Sequence, residues 1–262
     1  MRQPGSSGAL FVSLVVSLLT LAACSNGPGP QQGGTQDAGA ELTVFAAASL
    51  KEPFTELARD FEAANPGSTV RLNLAGSADL ASQLLAGAPA DVFAAADEAN
   101  MAKVLQGSLA AGEPQVIATN QLTIAVPPGN PAGITGFRDL AENRAQVVVC
   151  AVQVPCGAAA QQIEQAAGLV LSPVSEESSV TGVMGKVISG EADAGLVYVT
   201  DIRAAGDKVQ EVPLPEAREA VNRYPLVRLA GSDNTQLADA FIRFVSSANG
   251  QTTLQEAGFG VP

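Results

Sequence analysis

The chain has no histidine and no tryptophan in 262 residues. Without histidine there is no Ser-His-Asp or Cys-His hydrolase, no imidazole metal ligand and no imidazole general base. An enzyme built on Ser-Lys or on carboxylates remains open, as does a binding protein, which needs no titrating base. Tyrosine is almost as scarce, with Tyr198 and Tyr224 the only two. Two phenols are a poor set for ferric iron, and so few aromatics make a poor platform for a sugar. Basic residues number 14 against 26 acidic ones, a net charge of −12. That balance speaks against nucleic acid and anionic lipid surfaces as partners.

What is present begins with an apolar leader. Arg2 precedes the run Leu10-Phe11-Val12-Ser13-Leu14-Val15-Val16-Ser17-Leu18-Leu19, and small residues follow in Leu21-Ala22-Ala23-Cys24. A basic start, an apolar run and a small-residue end read as a secretory signal. The clean apolar run is shorter than the ~20 residues a membrane span needs. Leu-Ala-Ala-Cys resembles a bacterial lipobox. That resemblance implies a signal peptide over residues 1–23, lipidation of Cys24, and a protein anchored to the outer face of the cell membrane or on its periplasmic side. Residues 24–40, rich in Gly, Pro and Gln, read as a flexible linker behind the lipid. The other two cysteines, Cys150 and Cys156, lie six apart. In an exported chain that spacing suggests a disulfide closing a short loop; two free thiols packed as small apolar residues are the alternative.

From residue 41 onward, apolar runs of strand type alternate with segments of helical period. Strands are predicted at Leu42–Ala46, Val70–Leu74, Asp91–Ala95, Leu122–Val126, Val147–Cys150 and Ala194–Tyr198. Helices are predicted through Phe54, Leu57, Ala58, Phe61 and Ala64, around Leu80 and Leu84, from Met101 to Leu105, from Ala158 to Ala167, from about Val180 to Ser189, and over Thr235–Val245. Such alternation predicts an α/β chain with mainly parallel sheets. Two sets of alternations, parted near residue 125, suggest two lobes. Ligands of doubly wound sheets sit beyond the carboxyl ends of the strands, at helix starts.

Three strand-to-helix junctions are therefore the candidate site. Ser49 follows the first strand, with Glu52 three residues on. Ser-x-x-Glu is a capping pattern, so Ser49 reads either as a cap or as a ligand group. Pro53 argues against the cap, because it lacks an N–H at a position such a helix would use. Gly76-Ser77 follows the second strand, where glycine permits close backbone approach and serine offers a hydroxyl. Val154-Pro155-Cys156-Gly157 opens an alanine-rich helix whose first N–H groups lack intrahelical acceptors. Each junction alone reads equally as an ordinary helix start. Together, with no Lys or Arg inside them, they suit an anion held by neutral donors. A fully ionised oxyanion needs donors only, whereas one that keeps a proton needs an acceptor as well.

These segments resemble the molybdate-binding proteins of bacterial ABC importers. The likeness rests on Thr43-Val44-Phe45-Ala46-Ala47-Ala48-Ser49-Leu50, on Gly87-Ala88-Pro89-Ala90-Asp91-Val92-Phe93 followed by Ala96-Asp97, on Ala194-Gly195-Leu196-Val197-Tyr198 with Asp201, and on Ala257-Gly258-Phe259. It implies a two-lobed periplasmic-binding-protein fold of type II, each lobe a sheet flanked by helices, closing over one tetrahedral oxyanion. Lobe 1 is then expected at 41–122 and 226–262, and lobe 2 at 123–225. The implied ligand set is Ser49 and Ser77 through hydroxyl and amide, Cys156 and Val180 through backbone N–H, and Tyr198 through its hydroxyl. An alanine is more usual where Cys156 stands, but a backbone contact tolerates the change. Without the resemblance, Val180 reads as a core valine and Tyr198 as a half-buried strand aromatic. The implied function is capture of molybdate, with tungstate, for a membrane permease, by a monomer. No catalysis, cofactor or direct protein–metal bond is expected, since the molybdenum stays inside its oxyanion. Two other readings are a binding protein for sulfate or phosphate, and a hydrolase pairing Ser77 with Lys51, Lys103, Lys186 or Lys208, none of which stands at a recognisable motif spacing.

Overall fold

The first strand shows how the chain organises itself. Leu42, Val44, Ala46 and Ala47 are buried on both sides of a central strand, which pairs in parallel with a neighbour on each edge. In the computed structural model, which describes residues 39–142 and 145–262, this strand is β1 (Ala40–Ala47). The leader, Cys24 and nearly all of the linker lie outside the described residues. A 3-10 turn (Ala48–Leu50) leads into α1 (Lys51–Ala64), and β2 (Ser68–Ala75), α2 (Ser77–Leu85), β3 (Val92–Ala94), α3 (Glu98–Gln106) and β4 (Gln115–Asn120) follow. The chain then forms β5 (Leu122–Val126), α4 (Phe137–Glu142), β6 (Val147–Cys150), α5 (Pro155–Ala167), β7 (Ser175–Glu177), α6 (Val180–Ile188), β8 (Ala194–Tyr198), α7 (Val199–Ala205) and β9 (Gln210–Val212). It returns in β10 (Asn222–Arg228) and ends in α8 (Thr235–Val245) and α9 (Ala248–Glu256).

The strands form two five-stranded sheets, ordered β2-β1-β3-β10-β4 and β7-β6-β8-β5-β9. The fold is thus two-lobed α/β, as read from the sequence, but each sheet is mixed. In the first, β1 pairs in parallel with β2 and β3, while β10 is antiparallel to β3 and β4. In the second, β6 is parallel to β7 and β8, while β5 is antiparallel to β8 and β9. The antiparallel members β5 and β10 are the strands that have just crossed from the other sheet, so they enter from the opposite end. The sheets divide the chain a few residues from the limits read in the sequence. Leu122 pairs with Tyr198 in the second sheet, and Asn222, Arg223, Tyr224 and Pro225 pair with β4 in the first.

Local chemistry sets the element ends. Asn65 stops α1, its Nδ2 donating to the Phe61 carbonyl at 2.8 Å, and Gly67 takes the left-handed turn at φ +89°. The C-terminal segment belongs to the first lobe. Phe241 on α8 is fully buried, with its ring 6.2 Å from Phe54 and 5.3 Å from Phe61 in edge-on geometry. This tail therefore closes the core behind β1. Phe241→Ala is expected to cost roughly 3–5 kcal/mol through transfer and cavity terms. Urea unfolding of the two proteins measures it, and a loss below about 1 kcal/mol would show that the tail is not part of that core.

Candidate functional site

The parallel strands of both sheets end at one place. β1, β2 and β3 deliver Ser49, Ser77 and Ala96, and β6, β7 and β8 deliver Cys156, Val180 and Tyr198. All six residues line a single cavity between the lobes, with Ala47, Ala48, Gly76, Val154, Pro155 and Ser179 completing the wall. The five ligand positions expected from the sequence are thus brought together. The cavity measures about 10 Å³, on the order of the room one water-sized occupant needs. No charged side chain lines it.

The hydroxyls of the two serines are aimed by their partners. Ser77 is 1% exposed, and its Oγ accepts the Ala96 N–H at 3.0 Å, which leaves its proton for the cavity. Ser49 lies in the 3-10 turn rather than capping α1, whose N-cap is Leu50. Its Oγ is 2.9 Å from the Tyr224 hydroxyl, so the capping reading does not hold. Tyr198 is 1% exposed, and its hydroxyl has no partner at hydrogen-bond distance among the described residues, the Tyr224 phenol being its polar neighbour. Burial, with Tyr224 and Asp201 nearby, pushes its phenol well above the ordinary range, so it stays an O–H donor.

Backbone donors complete the wall. Val180 is the first residue of α6 and Cys156 the second of α5, positions whose N–H groups have no intrahelical acceptor. The α6 cap is held by Ser179, whose Oγ accepts the Gly182 N–H at 3.4 Å. The α5 start is held by the Cys150–Cys156 disulfide, with Cα atoms 5.7 Å apart. Gly157 is pressed against that loop: a Cβ there would lie 2.0 Å from the Ala151 carbonyl oxygen and 2.5 Å from that of Cys150. Gly76 has a similar part across the cleft. A Cβ on it would lie 2.1 Å from the Ser178 carbonyl oxygen of the other lobe.

Sequence reasoning did not single out Tyr224 or Asn120 for this region. The signal available for Tyr224 was its rarity, as one of two tyrosines in an aromatic-poor chain. None of the four lysines lines the cavity. Lys103 donates to Asn100 Oδ1 at 2.8 Å and Lys186 pairs with Glu177, leaving Ser77 without a base.

The family model described as bacterial extracellular solute-binding protein matches residues 42–260. A protein named molybdate-binding protein ModA from Mycobacterium tuberculosis is 45% identical over 263 residues, spanning all of both chains. Among solved structures, the periplasmic molybdate-binding protein of Azotobacter vinelandii superposes with a TM-score of 0.74 at 23% identity, over 84% of this chain and 99% of that one. The sulfate-binding protein SubI from Mycobacterium tuberculosis superposes with a TM-score of 0.71 at 20% identity, over 84% of this chain and 86% of that one. At these identities the two structures speak for the fold alone.

Behind Tyr198, Asp201 accepts its backbone N–H at 2.9 Å, and burial raises the Asp201 carboxyl from 3.8 to about 7. The folded chain therefore keeps a proton that the unfolded chain releases. The stability from this group is complete below the ordinary carboxylate range and is lost as pH rises through about 7. Unfolding by urea at pH 5 and pH 8 is expected to show a larger loss for the native chain than for Asp201→Asn. Equal losses would mean the carboxyl titrates normally.

Proposed function

The chain belongs to the bacterial extracellular solute-binding proteins, and from that premise we propose that it captures molybdate in the cavity between its lobes and delivers it to an ABC-importer permease. The observation that carries this reading is the Tyr198 hydroxyl, buried in the cavity wall without a partner. An unmet buried donor costs about 1–3 kcal/mol, and an oxyanion oxygen repays that cost. The hydroxyls of Ser49 and Ser77 and the backbone N–H groups of Cys156 and Val180 supply the remaining donors. Charge-assisted bonds of this kind are roughly twice as strong as neutral ones, so a ring of them holds an ion without a counter-charge. Tungstate, of the same charge and nearly the same size, fits the same ring. Sulfate, being smaller, is expected to engage this ring less well; a Ser-Lys hydrolase finds no lysine in the wall beside Ser77.

Both lobes contribute donors, so the ion favours the closed arrangement by its differential affinity for the two states. The chain crosses between the sheets at Gln121, between β4 and β5, and at residues 213–221, between β9 and β10. A lipid on Cys24 would keep the capture domain at the membrane that holds the permease. The net charge of −12 opposes anion approach at long range. Added salt is therefore expected to leave affinity unchanged or to raise it slightly.

Isothermal titration of residues 41–262 with molybdate, tungstate, sulfate and phosphate tests the proposal. One-to-one binding of the first two and silence from the others is expected; binding of sulfate or phosphate alone would replace the ligand. Gly76→Ala probes the closed state. Its backbone, at φ −60°, suits alanine, so the free protein should fold, yet its new methyl meets Ser178 only when the lobes close. Molybdate affinity is expected to fall at least about tenfold, or 1.4 kcal/mol, with little change in thermal stability without ligand. Reduction of Cys150–Cys156 should weaken binding several-fold by loosening the start of α5, and unchanged affinity after reduction would remove the loop from the account.

A further inference from the structure

A buried polar chain runs behind Ser49. It begins at Asn120, the last residue of β4, where the chain crosses between the sheets. The Gln121 backbone N–H donates to Asn120 Oδ1 at 3.0 Å. A backbone N–H can only donate, so it settles which end of the amide is oxygen. Asn120 Nδ2 then faces Thr200 Oγ1 at 2.8 Å and Tyr224 Oη at 3.4 Å. An amide nitrogen also can only donate, so Tyr224 Oη accepts from it. The phenol has one proton, and its other close partner is Ser49 Oγ at 2.9 Å, a contact in which either hydroxyl can donate. With Asn120 already donating to the phenol, the arrangement in which Tyr224 donates to Ser49 uses both groups fully. In that arrangement Ser49 does not spend its own proton on Tyr224 and turns it to the cavity. Asn120 is 3% exposed and Tyr224 fully buried, so water does not compete for these bonds.

Resting on the oxyanion reading above, we propose that Asn120 and Tyr224 are positioning residues that fix Ser49 as a donor and make the cavity select oxyanions without a proton over protonated ones of the same shape. Ser77 is held the same way by the Ala96 N–H. Its direction is set by backbone, whereas that of Ser49 depends on two side chains. A protonated oxyanion would bring an O–H toward serine hydroxyls whose own protons already face it, and a donor set against donors is penalised. Removing the Tyr224 hydroxyl frees Ser49 to rotate and accept.

Tyr224→Phe tests this with little disturbance, because the ring keeps its edge-on packing 5.2 Å from Phe259 and 6.2 Å from Tyr198. The native chain, Tyr224→Phe, Ser49→Ala and the double variant are titrated at pH 8 with molybdate, which is fully ionised there, and with hydrogen phosphate, which keeps one proton. Tyr224→Phe is expected to lose roughly tenfold for molybdate, while hydrogen phosphate, silent with the native chain, stays silent or becomes detectable, so the gap between them narrows. In the Ser49→Ala background the same change should alter molybdate affinity less than about twofold, because no hydroxyl remains to aim. Effects of the two substitutions that multiply, or an unchanged gap, would overturn the inference and leave the oxyanion cage standing. A native chain that binds neither anion would overturn the cage itself. If Tyr224→Phe fails to fold, Asn120→Ala takes its place in the cycle, with the same outcomes.

Discussion

Six strand ends converge on one small cavity, and what faces it from them is a hydroxyl, a helix-start N–H or a small apolar group. The rest of the molecule follows from that condition. An ion taken out of water without a counter-charge must have each of its lone pairs met by a donor. A lysine could tolerate sloppy placement because its charge acts over distance. A ring of neutral donors cannot, since hydrogen bonds weaken steeply with misalignment. Rigidity around the ring is therefore what the fold supplies. The disulfide braces α5, Ser179 caps α6, and β1 carries Ser49 from the interior of its sheet.

The same condition accounts for the small residues at the cleft. Ala47, Ala48, Gly76 and Ala96 let backbone approach backbone, and at Gly76 the approach leaves no room for a methyl. Close approach is what brings Ser49 and Ser77 of one lobe to the same cavity as Cys156, Val180 and Tyr198 of the other. The crossing between the sheets takes part as well. Asn120 stands at the crossing and bonds to Thr200 in the second lobe and Tyr224 in the first, so a group that aims Ser49 also ties the lobes together. Folding both tasks into one buried amide explains why a polar cluster is kept in so apolar a place.

Much of this was legible in the sequence, and the parts that were not have physical reasons. Buried central strands such as Leu42–Ala46 and Val147–Cys150 announce themselves as apolar runs, and the helix starts beyond them marked the site. β7 did not, because Ser175–Glu177 is a short polar edge strand. β10 was hidden by Pro225, which argues against an interior strand. The structure accommodates it with a register shift between Tyr224 and Pro225, and the Pro225 carbonyl still accepts from Ala95. Losing that strand lost Tyr224, which meets Ser49 across 175 residues of sequence. No local pattern reports such a contact. Ser49 itself carried a capping signature, and the pattern misled because its hydroxyl is engaged by a distant phenol rather than by its own helix. Val180 and Tyr198 have no chemical signature of their own; only the likeness to the molybdate-binding family marked them.

The central claim is that neutral donors alone hold the ion between the lobes. Anomalous diffraction from crystals of residues 41–262 grown with molybdate would test it most directly. The account predicts one strong molybdenum peak in the cavity, its oxygens within hydrogen-bond reach of the hydroxyls of Ser49, Ser77 and Tyr198 and of the N–H groups of Cys156 and Val180, with no lysine or arginine in contact. A peak elsewhere, or a cationic side chain swung in to meet the ion, would contradict it.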